Sequence, residues 1–184
     1  GNSVVKLVDD ISLTGCSAGT DGGCIAVLEA SIASVRGVTV NLASASGNGG
    51  AFVASGLGSV LQLAEATLTS CGAGSGGCLA VLSAGNVSIA DSTFSLASAV
   101  GNGGALLASG LGSVLQLTGV QLTGSNSSGS VGGGDIFVSG QASLLASALT
   151  SIGATAINGA GGFLAVTGNS VVKLVDDISL TGCS

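Results

Sequence analysis

The chain has 184 residues, 34 of them glycine, with no Pro, His, Trp, Tyr or Met and a formal charge of −6. Glycine this frequent without a three-residue period excludes collagen, and a hydrophobic share of 46% excludes ordinary disorder. Three basic residues, Lys6, Arg36 and Lys173, leave no footprint for nucleic acid or an anionic membrane surface.

Along the chain, glycine pairs begin at Gly22, Gly49, Gly76, Gly103, Gly133 and Gly161, at steps of 27, 27, 27, 30 and 28 residues. A fixed period of this size marks a solenoid, in which each coil touches only its neighbours. The clearest copies are GNGGAFVASGLGSVLQL from Gly47 and GNGGALLASGLGSVLQL from Gly101, which differ at Phe52/Leu106 and Val53/Leu107. A longer repeat lies over the coils: residues 1–17, GNSVVKLVDDISLTGCS, return unchanged at 168–184, an offset of 167 residues. The chain therefore reads as one segment of a longer tandem array. It has a partial coil over 1–21, then coils at 22–48, 49–75, 76–102, 103–132, 133–160 and 161–184.

Within each coil the glycine pair opens a short apolar strand: CIAVL (24–28), AFVAS (51–55), CLAVL (78–82), ALLAS (105–109), DIFVS (135–139) and FLAVT (163–167). A second strand follows, as in SVLQL (59–63, 113–117), NVSIA (86–90) and SVVKL (170–174). A third comes two or three residues later, as in VTVNL (38–42), STFSL (92–96) and ISLTG (178–182), before a polar Gly/Asn/Ser loop returns the chain to the next pair. Three short strands per coil predict an all-β fold, a right-handed parallel β-helix of roughly triangular section. In the fifth coil LLASALTSIGATAING also reads as a short helix, but its repeat position argues for strands. Residues 92–134 carry no charge, yet GNGG, SGLGS and a period-two alternation interrupt them, so no membrane span is predicted.

Alternation sets the facing. On the second strand Leu61 and Leu63 point in and Gln62 points out, with Lys173 in the Gln62 slot. On the third strand Phe94 and Leu96 point in, with Thr93 and Ser95 out. On the first strand the same rule sends Ile25, Val27, Phe52, Leu106, Ile136, Val138, Leu164 and Val166 inward. It sends Ala26, Val53, Ala80, Leu107, Phe137, Phe163 and Ala165 outward, in a column whose one charge is Asp135. An exposed apolar stripe of this length marks an interaction site, so Val53, Leu107, Phe137 and Phe163 are the predicted self-association face, with a neighbouring copy as partner. Asn48 and Asn102 are placed to hydrogen-bond along the stack.

Five cysteines are present, Cys16, Cys24, Cys71, Cys78 and Cys183. Cys16 and Cys24 flank one corner, and Cys71 and Cys78 flank the equivalent corner two coils later. Any other pairing among these four spans about two coils, near 10 Å, beyond the usual Cα limit of about 7 Å. Disulfides Cys16–Cys24 and Cys71–Cys78 are expected, and the partner of Cys183 falls beyond Ser184. Such bridges place the protein outside the cytosol, secreted or at the cell surface. Two N-glycosylation triplets begin at Asn126, in the longest loop, and at Asn86, on a strand.

At the glycine pairs, GGAF (49–52), GGAL (103–106), GGCI (22–25) and GGCL (76–79), the chain resembles the repeats of polymorphic outer membrane proteins and their relatives in algae and bacteria. The resemblance implies a secreted right-handed β-helix used in adhesion or surface structure, and it brings no site residues with it.

Catalytic, cofactor and metal sites are not predicted. The acids are scattered, and Asp9–Asp10 and Asp176–Asp177 are one site repeated; CxxC spacing is absent. The expected role is structural: a shaft, flagellar hair or stalk assembled as a homopolymer. The alternatives are an adhesin that binds a surface ligand and, from the outer Thr residues (Thr39, Thr67, Thr69, Thr93, Thr123, Thr181), an ice-binding protein.

Overall fold

The computed structural model describes residues 3–184; residues 1 and 2 of the first, partial coil lie outside it. The described residues form strands and turns with no helix, in parallel sheets stacked as a β-solenoid of about 6 turns, roughly 28 residues per turn. Three longer strands per coil make three faces. The first face stacks Ile25–Leu28, Phe52–Ser55, Leu79–Leu82, Leu106–Ser109, Ile136–Ser139 and Leu164–Val166 in that order. The second stacks Val60–Ala64, Asn86–Ala90, Val114–Thr118, Ser143–Ser147 and Val171–Val175. The third stacks Thr67–Thr69, Thr93–Ser95, Gln121–Thr123, Thr150–Ile152 and Ser179–Thr181. Two long strands, Val4–Thr14 and Ile32–Asn41, run round the corner and join the second and third faces into one sheet. The fifth coil is strand throughout, as its repeat position requires.

One ladder was not expected. Where a plain return loop is predicted, the chain adds two-residue strands, Ser17–Ala18, Ser44–Ala45, Gly72–Ala73, Ser98–Ala99, Asn126–Ser127 and Thr155–Ala156, paired coil on coil.

The corners explain the composition. Between the second and third faces, Asp9, Asp10, Glu65, Asp91, Ala148, Asp176 and Asp177 all adopt positive φ, as do Gly37 and Gly119. Aspartate is among the few side chains that enter this left-handed region readily, so these acids shape turns. At the glycine pair the demand is stricter. Gly76 has φ +61°, and a Cβ there would lie 2.7 Å from Leu107 Cβ; a Cβ on Gly77 would overlap the Gly104 carbonyl. Successive coils touch backbone to backbone along this column, and only glycine fits.

The interior is one continuous apolar stack. Leu61, Leu63, Leu68, Phe52, Leu79, Ile89, Phe94, Leu106, Leu115, Leu117, Leu122 and Ile136 are fully buried in it. Partners across each ladder are like on like, such as Leu63 between Val35 and Ile89, at the usual strand spacing of about 4.8 Å. Burying one such side chain is worth about 1.5–3 kcal/mol before chain entropy is subtracted.

Candidate functional site

The corner that opens the first strand departs from simple alternation. The N–H groups of Cys24 and Ile25 both donate to Ala51 O, at 2.8 and 3.0 Å. Ala51 and Phe52 both donate to Cys78 O, and the pattern recurs at Ala105 O, Asp135 O and Phe163 O. Sharing one carbonyl resets the pleat, so two consecutive residues point inward. Cys78, Ala105, Asp135 and Phe163 are therefore core residues, stacked above Cys24 and Ala51.

Two expectations fall with this. Phe163, placed outward by alternation, packs in the main core and is 7% exposed. Val53, Leu107 and Phe137 do lie on the outer side of the sheet but are only 1%, 5% and 8% exposed. With Ala80 they form a second apolar cluster, against which Leu82 and Ala165 pack. Their cover is the glycine corner: a Cβ on Gly22 would lie 2.7 Å from Val53 Cγ1, and one on Gly103 would lie 3.1 Å from Phe137 Cβ. The predicted self-association face is thus already occupied by the chain itself. Leu96, expected inward, is instead an exposed corner residue at φ +54°.

The cysteines divide by position. Cys16 and Cys24 form a disulfide with Cα atoms 5.0 Å apart, both partly buried at the N-terminal end of the stack. Cys71 and Cys78, expected to be bridged, are free thiols sealed in the core. Burial is the main cause that pushes the Cys78 thiol well above its ordinary pKa, and bonding with Cys71 adds to it. The thiolate is the form that attacks a disulfide, so this site disfavours the chemistry that would join the pair. Cys183 is also a free thiol, partly exposed on the last coil, with Sγ 3.3 Å from Ser151 Oγ.

A buried carboxyl lies beside it. Asp135, read as an outer residue, is wholly enclosed; it accepts a hydrogen bond from Ser151 Oγ through Oδ2, while Oδ1 has no partner. Burial raises its pKa, and the hydroxyls of Ser125 and Ser151 pull in the opposite direction. Ser125 Oγ is near enough to act on the carboxyl without making a well-formed hydrogen bond. A signal for this cluster existed in the sequence: Asp135 occupies the position of Ala51, Cys78 and Ala105, all small and apolar.

Both glycosylation candidates are exposed. Asn86 begins Asn86–Ala90, and Asn126 lies on the two-residue strand Asn126–Ser127 rather than in a loop. Beside Asn126 runs a shallow groove of about 670 Å³, parallel to the stack and lined by Ser44, Ala73, Ser98, Val100 and Ile157 among others. Asn48 and Asn102 bond along the stack as expected: Asn48 N–H donates to Asp21 Oδ1 at 2.6 Å, and Asn102 Oδ1 accepts from Gly132 N–H at 3.1 Å. On the third face Thr69 Oγ1 and Ser95 Oγ lie 3.2 Å apart. Arg36 pairs with Glu65 at 2.7 Å on the surface, a contact worth about 0–1 kcal/mol.

Among the described residues no three His, Cys, Asp or Glu side chains come together as a metal site, and no helix is long and apolar enough to cross a membrane. No family model matches the chain, and no curated protein or solved structure matches it.

Proposed function

We propose that this chain is a structural segment of an extracellular filament or surface appendage, a shaft lengthened by adding coils. The observation that carries the reading is the return of the coil register after 167 residues. Residues 4–14 and their duplicate take up the same backbone at opposite ends of the stack. Asp9 and Asp10 have φ of 58° and 56°, Asp176 and Asp177 have 50° and 38°, and Gly15 and Gly182 have 66° and 62°. A solenoid whose end repeats its beginning in sequence and shape extends along its axis without a change of geometry. The Cys16–Cys24 bridge and the likeness to GGA-type surface repeats support a secreted location.

Negative-stain microscopy of the purified protein tests this. The reading predicts thin unbranched rods one solenoid wide, growing in increments of roughly 29 Å, six coils at about 4.8 Å each. A uniform population of short particles at every concentration contradicts it. The groove beside Asn126 favours a second reading, an adhesin that seats an extended ligand such as a glycan chain. Binding on a glycan array that is abolished by Ser98→Trp supports that reading. N-glycans on Asn126 and Asn86 are read from the mass lost on treatment with an amide-cleaving glycosidase.

A further inference from the structure

The two ends of the stack are open, and they match. On the first face Ile25–Leu28 pairs with Phe52–Ser55 on one side and has no strand on the other among the described residues. That open side is a cleft of about 230 Å³ lined by Val5, Ile25, Val27, Leu28 and Ile32, with Leu28 50% exposed. On the second and third faces the seat is filled by Val4–Thr14, which pairs Val4 with Ile32, Leu7 with Val35, Ile11 with Val38 and Leu13 with Val40. At Asp9 and Asp10 this strand bulges over Gly37, where a Cβ would lie 3.3 Å from Asp9 Cα. At the other end Leu164–Val166, Val171–Val175 and Ser179–Thr181 are the last strands of their faces, with Val166 42% exposed.

We infer that copies of this chain join head to tail by exchanging the duplicated segment. Residues 168–184 of one copy take the seat of residues 3–17 on Ile32–Asn41 of the next, and Cys183 replaces Cys16 as the disulfide partner of Cys24. The inference rests on the shaft reading above and supplies its joint. Register decides it. Identity with the resident strand places Val171 on Ile32, Leu174 on Val35 and Ile178 on Val38, with Asp176 turned over Gly37. The same shift lays Leu164 on Ile25, Val166 on Val27, and Gly161–Gly162 on Gly22–Gly23, so the glycine column continues across the joint. The exchange of identical segments is close to neutral. The gain is the added strand, because Leu164–Val166 runs just ahead of the duplicate and fills the cleft that the chain's own residues leave open.

The covalent step is thiol–disulfide exchange and needs no oxidant. Cys183 loses its proton, and its sulfur attacks Cys24 Sγ. The Cys183–Cys24 bond forms as the Cys16–Cys24 bond breaks, and Cys16 leaves as a thiolate that takes up the proton. Cys71 and Cys78 stay out of the exchange because they are sealed in the core.

The test is to hold the purified protein at mildly alkaline pH without added oxidant, alkylate it, and map its disulfides by mass spectrometry. Expected are covalent dimers and longer ladders that contain a Cys24–Cys183 peptide and alkylated Cys16. Intact Cys16–Cys24 with alkylated Cys183 throughout overturns the covalent step. Cys183→Ser separates bond from seat: it removes the ladder, while light scattering still shows oligomers. Monomers for both proteins overturn the joint. Val166→Lys, with its folding checked by circular dichroism, weakens association by about tenfold or more, and no weakening overturns the first-strand seat. Rods that form without the Cys24–Cys183 link and ignore Val166→Lys remove this joint and leave the shaft reading standing. Linked short oligomers that never become rods do the reverse.

Discussion

Leu63 and Leu174 occupy the same column of the second face, yet Leu63 is 1% exposed and Leu174 is 37% exposed. Both point inward by alternation, and both follow a polar or basic residue, Gln62 or Lys173. They differ in what lies above and below. Leu63 is covered by Val35 and Ile89, whereas Leu174 has a neighbour on one side, Ala146. Burial in this fold is supplied along the axis by the next coil, so central and end coils of near-equal sequence differ in stability.

Moving one substitution between the two regions gives the largest contrast. Gly77→Ala, mid-stack, drives a Cβ into the Gly104 and Ser98 backbones and lowers stability by about 3 kcal/mol or more. Gly162→Ala, in the last coil, meets only the backbone of Ser184 and costs about 1 kcal/mol. Urea unfolding of the two variants measures the gap, and equal losses would break the comparison.

Leu107→Lys comes next. On an exposed stripe it would be harmless, but in the enclosed outer cluster it buries an unpaired ammonium and lowers stability by about 3 kcal/mol. Unchanged unfolding would return Leu107 to the surface.

Asp135 sharpens the comparison through pH. Its folded pKa is raised by burial, so its carboxyl stays protonated in the fold while the unfolded chain ionises. Its contribution to stability is full below the ordinary aspartate pKa and declines as pH rises toward the raised folded value. Asp135→Asn removes that decline, so the variant gains stability relative to the parent as pH increases. A gap between the two proteins that stays constant with pH contradicts this. The smallest effect belongs to a corner. Leu96 is exposed at φ +54° in a column that elsewhere holds Gly15, Gly124 and Gly153, and Leu96→Gly stabilises by about 0.5–1 kcal/mol in thermal unfolding.

How much of this was legible in the sequence follows from where each rule acts. The coil period, the three faces and the facing of Leu61, Gln62, Leu63 and Phe94 rest on local spacing and hold in the structure. Phe163 and Asp135 were misplaced because alternation was carried through a corner. There two N–H groups of one coil share a carbonyl of the next, and that inter-coil bond resets the pleat. The cover over Val53, Leu107 and Phe137 escaped notice for a similar reason. Glycine marks a turn in sequence, but its closeness to the next coil's side chain appears only once coils are stacked. The two-residue ladder through Ser98–Ala99 is too short to leave a period of its own.

Amide hydrogen exchange followed against protein concentration tests the central claim, that the end of one copy is the beginning of the next. At low concentration Val114–Thr118 is protected and Leu164–Val166 and Val171–Val175 exchange faster. As concentration rises, the account predicts that these end strands and Ile25–Leu28 gain protection together, while Val4–Thr14, displaced from its seat, loses it. End-strand protection that does not change with concentration, or a gain shared by Val4–Thr14, would contradict the account.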